Sequence, residues 1–162
     1  MKDIENREDI DLLMERFYSR ATTDDVIGYI FTDIAKLDLE HHLPVIGDFW
    51  ETIVFQTHVY VKHGRNPLQV HGELNLKEIL VPEHFGRWLE IFNETTDELF
   101  EGDRADFIKV RAEAIAGRML HFVGAINRGE INFPRPALVG RGHSPRSCHG
   151  RFGSTPYQQA DG

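Results

Sequence analysis

Four side chains in this 162-residue sequence have chemistry to offer at spacings worth weighing: Tyr18, His42, His71 and Trp88. His71 closes the segment Asn66-Pro67-Leu68-Gln69-Val70-His71, and His42 heads an apolar helical pattern that ends in Phe49-Trp50. Tyr18 follows Phe17, and Trp88 follows His84-Phe85. Two imidazoles on different helices, with a phenol, an indole and several phenyl rings from others, meet the needs of a haem. One neutral imidazole ligates the iron. The second imidazole and the phenol can hydrogen-bond a bound gas, and the rings wall off the porphyrin. A buried donor left without a partner costs ~1–3 kcal/mol, so a polar cluster of this kind is out of place in an ordinary core. His84 is a rival ligand, because it also precedes a helix carrying Trp and Phe. Its place just after Pro82, at a helix start, favours partial solvation instead.

The elements that must position these groups read as helices. Ile10, Leu13, Met14, Phe17, Tyr18 and Ala21 fall on one helical face, with Asn6 or Asp9 as cap. Thr22-Thr23-Asp24-Asp25 breaks that pattern and leads into a short turn through Val26, Ile27, Ile30 and Phe31. A second stripe runs through Leu43, Ile46, Phe49, Trp50, Ile53 and Val54, starting near His41 or His42. Successive helical residues point about 100° apart, so only one of these histidines faces inward, and the register favours His42. His63-Gly64-Arg65-Asn66-Pro67 is a loop signature, followed by a short amphipathic stretch bearing His71. Pro82 suits a first helical turn, and Phe85, Trp88, Leu89, Phe92 and Leu99 define a long helix ending near Gly102. Asp103 is placed to cap the last helix, whose Ala112, Ala114, Ala116 and Gly117 thin its middle for a close crossing. The reading is all-α, with no run of period two long enough for a sheet.

Composition bounds the function. The formal net charge of -8 argues against a nucleic-acid surface. No apolar run approaches the ~20 residues that span a bilayer, and the N-terminus lacks a secretory apolar core, so no membrane partner is expected and the cytoplasm is the default compartment. A lone cysteine, Cys148, forms neither a disulfide framework nor a four-cysteine zinc site within one chain. From residue 129 the composition shifts to six Gly, four Pro and three Ser in 34 positions, too few large apolar groups to offset ordering entropy. The expected organisation is a helical domain over 1–128 and an irregular tail over 129–162. His143, Cys148 and His149 in that tail match no closed metal site.

In order and spacing, Phe17-Tyr18, Phe31, His42, Asn66-Pro67-x3-His71 and His84-Phe85-x2-Trp88-Leu89 resemble the truncated haemoglobins of group III, small bacterial globins with a two-over-two helical sandwich around haem b. The resemblance spans roughly residues 5 to 126 and leaves the tail unmatched. It implies that His71 is the proximal iron ligand and that Tyr18 and His42 are the distal pair. It implies that Trp88 lines the distal side, that Phe31 packs on the haem face and that Ile46 forms an apolar ceiling. The implied ligands are dioxygen, nitric oxide or carbon monoxide. Two polar residues over the iron would slow oxygen release, which suits peroxidase-like or nitric oxide dioxygenase-like chemistry, with an unidentified reductase, better than oxygen transport. Lys62 or Arg65, near His58 and His63, are placed to pair with haem propionates. The sequence departs from the family at Leu39, where a tryptophan is frequent, and in a slightly long segment from Tyr60 to Asn66. The competing reading is a non-haem helical bundle acting as a binding or interaction module. A di-iron version of it needs repeated Glu-x-x-His pairs, and none occurs before the tail.

Overall fold

The computed structural model describes residues 1–134; the remainder of the Gly/Pro-rich segment, with His143, Cys148 and His149, lies outside the described residues. Five α-helices follow in order: α1 (Arg7–Ala21), α2 (Leu39–Phe55), α3 (Pro67–Asn75), α4 (Pro82–Leu99) and α5 (Asp103–Asn127). A π-helical turn, Ile30–Ile34, joins the first two, and a 3₁₀ turn, Val59–His63, precedes α3. No strand occurs among the described residues.

Local chemistry sets most of the helix ends. Asn6 caps α1, its side-chain oxygen accepting from the Asp9 N–H at 3.1 Å. Asp38 caps α2 in the same way through the Glu40 N–H at 3.1 Å, and Asn66 caps α3 through the Leu68 N–H at 3.0 Å. Pro67 and Pro82 occupy first turns, where a missing N–H removes no intrahelical bond. Helix α2 begins at Leu39, earlier than the apolar stripe implies, and carries Pro44 within it. The α5 start corrects the expectation for Asp103. Gly102 precedes the helix at φ 147°, and the cap comes from the far end of the sequence. The Asp3 carboxylate accepts from the Arg104 and Ala105 N–H groups at 3.0 and 2.9 Å. A Cβ on residue 102 would lie 2.5 Å from the Asp3 carboxyl carbon, so close approach and positive φ both require glycine there.

Helix α1 packs on α2 and α4, α4 on α5, and α2 on α5, so one pair of helices lies over another. The short α3 stands outside the two pairs and rests on α5. The centre is aromatic. Phe92 stacks on Trp88 at 5.1 Å and meets Trp50 at 5.0 Å and Phe17 at 5.5 Å. Phe17, Trp50 and Phe92 are buried, and each such ring pair adds ~0.5–1.5 kcal/mol beyond its area term. The α1 face is buried as its spacing predicts, at Ile10, Leu13, Met14, Phe17, Tyr18 and Ala21.

Candidate functional site

Between the two helix pairs and α3 lies a cavity of about 240 Å³. All six residues singled out from the sequence line it: Tyr18 from α1, Phe31 from the π-helical turn, His42 and Ile46 from α2, His71 from α3 and Trp88 from α4. The rest of its wall is mainly apolar, with Tyr60, Arg65 and His84 as the further polar groups.

On the α3 side, His71 Nδ1 lies 2.8 Å from the Pro67 carbonyl oxygen, one turn earlier in its own helix. A carbonyl only accepts, so Nδ1 carries the proton and donates it there. Nε2 is therefore the unprotonated nitrogen, and it has no partner among the described residues. Burial pushes the His71 pKa down, against the smaller upward pull of the Pro67 bond. The imidazole is neutral at pH 7, held in one tautomer, with its lone pair free at the cavity wall. That is the arrangement an imidazole metal ligand needs.

Tyr18 and His42 line the same cavity as a pair. The Tyr18 hydroxyl is 2.8 Å from His42 Nε2, and the rings meet edge-on at 5.1 Å. Burial pushes the Tyr18 phenol above its ordinary value, so it stays protonated. Burial pushes His42 down to about 4, with the charge of Arg65, and that of His71 whenever it is protonated, adding to the effect. Both groups are thus neutral near pH 7. Phe31 meets Tyr18 edge-on at 5.9 Å, and Trp88 is held by its stack on Phe92 and by the edge of Phe17 at 5.4 Å. No side chain or carbonyl among the described residues accepts from the Trp88 indole N–H. His41 points outward, paired with Asp38 at 2.7 Å, as the helical register requires.

His84 also lines the cavity, but both of its nitrogens are engaged. Nδ1 accepts from the Val81 N–H at 3.4 Å, and Nε2 lies 3.5 Å from the Tyr29 hydroxyl, which donates to Glu78 at 3.0 Å. Of the cavity histidines, His71 alone is held through Nδ1 by a backbone carbonyl with Nε2 left bare; His42 engages Nε2 with Tyr18, and its Nδ1 has no partner among the described residues.

The rim differs from the sequence expectation. Lys62 and His63 are not free for an anionic guest: both reach the buried Asp48, each at 2.7 Å from Oδ2, and Arg7 reaches Oδ1 at 2.5 Å. Burial alone would raise the Asp48 carboxyl. Hydrogen bonds from Lys62, His63 and Arg7 outweigh it and hold the group well below the usual carboxylate range. His58 is exposed and lies outside the cavity wall. Arg65 is the cation left at the cavity edge, without an ion pair among the described residues. Sequence reasoning named Arg65 only beside Lys62, and it passed over Tyr60; an Asp at 48 inside an apolar stripe was the available sign that nearby cations would be drawn inward.

An apolar slot with a backbone-held imidazole whose Nε2 is bare, a neutral polar pair on its wall and a cation at the edge fits an iron porphyrin, and two helix pairs around such a slot make a truncated globin. Known proteins agree. The group 3 truncated hemoglobin ctb of Campylobacter jejuni is 32% identical over 114 residues, which cover 68% of this chain and 85% of that protein. The crystal structure of a group III truncated hemoglobin from Campylobacter jejuni matches at a TM-score of 0.65 and 28% identity, covering 76% of this chain and 95% of that one. No protein-family model matches the chain. The chain belongs to the group III truncated haemoglobins and carries a globin-type haem-binding function.

Proposed function

We propose that the protein holds haem b on His71 Nε2 and binds dioxygen and other diatomic ligands reversibly beside Tyr18, His42 and Trp88. The observation that carries this reading is the His71 hydrogen bond to Pro67, which leaves one nitrogen bare on the cavity wall. When bound, the haem supplies a ferrous centre with affinity for dioxygen, nitric oxide and carbon monoxide. Covalent attachment of c type needs a Cys-x-x-Cys-His segment, and the sequence has one cysteine and no such segment, which supports a non-covalent haem b.

The chain's own groups set the polarity of the opposite space. Tyr18 has one proton to give. With the proton of His42 on Nε2, the imidazole donates to the Tyr18 oxygen and the phenol O–H is free for a polar guest. Chained donors of this kind strengthen one another. The Trp88 N–H adds a third donor, while Phe31 and Ile46 exclude water from the same space. Arg65 supplies the positive charge for the propionates at the rim. The Tyr18–His42 pair also sets a protonated phenol beside the guest space as a proton donor, and this supports a second reading: redox turnover of nitric oxide or peroxide, sustained by a separate reductase.

Expression with a haem precursor tests the first reading. The expected product is red, with a Soret band that moves under carbon monoxide. His71→Ala loses haem retention, and His84→Ala keeps it. An exchange of those two results overturns the assignment of the iron ligand.

A further inference from the structure

Helix α3 has nine residues, too few to hold its own shape in water, and the long helix against which it packs is α5. Two contacts from the end of α5 fix it. The first is polar. Asn75, buried at the end of α3, donates from Nδ2 to Asn127 Oδ1 at 2.7 Å, while its own Oδ1 accepts from the Leu80 N–H at 2.9 Å. Asn127 is the last residue of α5.

The second contact is apolar and comes from beyond the helix. Gly129 takes φ 74°, and the N–H groups of Glu130 and Ile131 turn back onto the Ala125 carbonyl at 2.9 and 3.3 Å. The Arg128 guanidinium closes the reversal on the Glu130 carboxylate at 2.7 Å. The chain is thereby returned to α3, where the Phe133 ring sits against Gly72 and edge-on to Phe122 at 6.0 Å. A Cβ on Gly72 would lie 2.6 Å from two atoms of that ring, so the ring fills the space that a side chain would need. Gly72 directly follows His71.

We propose that Phe133, seated in the notch of Gly72, acts with Asn127 as a clamp on α3 that positions His71, so that the end of α5 and the turn beyond it set the placement of the bare imidazole nitrogen. Phe133 and Asn127 touch neither the cavity nor a guest; they are positioning residues. The inference rests on the reading of His71 as the iron ligand.

The notch gives the test a sign. Alanine is the better helix former, so Gly72→Ala strengthens α3 wherever nothing occupies the notch. With Phe133 seated there, the new methyl displaces the ring and the clamp fails. The measurements are the iron–histidine stretching band of the ferrous protein by resonance Raman and the rate of haem transfer to an excess of apomyoglobin. Wild type and His71→Ala come first. A band present in wild type and absent in His71→Ala secures the reading on which the inference rests, and failure at this step refutes that reading rather than the clamp. Gly72→Ala and Phe133→Ala are then each expected to shift or broaden the band and to speed haem loss by about tenfold, with Phe133→Leu restoring most of both. The pair Gly72→Ala/Phe133→Ala is expected to be no worse than either alone. The carbonyl stretch of the carbon monoxide complex, which reports on the Tyr18 side, stays where it is. Should Phe133→Ala fail to fold, Asn127→Ala is read by the same band. An unmoved band and unchanged haem loss in Phe133→Ala, or Gly72→Ala binding haem more tightly than wild type, overturns the proposal.

Discussion

Tyr18 owns a single O–H, and that count makes a sharp prediction. Its hydroxyl and His42 Nε2 are 2.8 Å apart, both neutral near pH 7. If the imidazole donates to the phenol oxygen and the phenol donates onward, the two residues act in series. A hydrogen bond to a partly charged acceptor contributes ~1.5–3 kcal/mol, so Tyr18→Phe is expected to speed oxygen dissociation about 10- to 150-fold. His42→Leu removes only the polarising partner. Cooperative strengthening of ~10–30% of that bond is then lost, an expected increase of about 1.3- to 5-fold. In the double variant, His42→Leu adds little to Tyr18→Phe, because no phenol O–H remains to be polarised. The assay is stopped-flow displacement of oxygen by carbon monoxide on the four proteins of the cycle. Effects of equal size that multiply in the double variant mean that both groups donate independently, and the series arrangement is then wrong. An unchanged rate in Tyr18→Phe removes Tyr18 from the ligand space altogether.

The other predictions concern the frame. Asp3→Ala strips two N–H groups at the start of α5 of their acceptor, and urea titration is expected to show a loss of about 1–2 kcal/mol without a change in the ligand-binding rates. Asp48→Asn breaks a buried carboxylate's bonds to Arg7, Lys62 and His63, all three partly exposed, at an expected ~2–3 kcal/mol near neutral pH. The pH dependence has a definite sign. The folded Asp48 carboxyl lies below its ordinary value, so its contribution is complete above about pH 4–5 and is lost as pH falls further. Unfolding free energy measured from pH 7 down to 3 is expected to fall more steeply in wild type than in Asp48→Asn, and parallel curves would place the acid sensitivity elsewhere.

Wherever a local rule decides, the sequence was readable. The spacing of Ile10, Leu13, Met14, Phe17, Tyr18 and Ala21 gave the buried face of α1, Pro82 marked a helix start, and the offset between His41 and His42 told which ring turns inward. The six cavity residues were legible chiefly through resemblance: their order and spacing match those of the group III truncated haemoglobins, and the structure places all six on one cavity wall. What was not legible depends on partners distant in sequence. Asp3 takes over the capping of α5 from a hundred residues away, and no short window contains both. Asp48 draws Lys62 and His63 away from the cavity edge because burial makes an unpaired carboxylate too costly, a fact visible only once α2 is known to turn that face inward. Phe133 lies in a stretch whose composition reads as irregular, yet one glycine at Gly72 gives it a seat.

Trp50 and Trp88 are the protein's two tryptophans, they flank the same Phe92 ring, and both line the cavity. Every indole emitter in the molecule therefore stands within short dipole-coupling range of whatever pigment fills that space. A guest that absorbs in the near ultraviolet darkens both at once, and its departure lets both glow again. Loading and loss can thus be followed by native emission in dilute solution, with no attached dye and no added label.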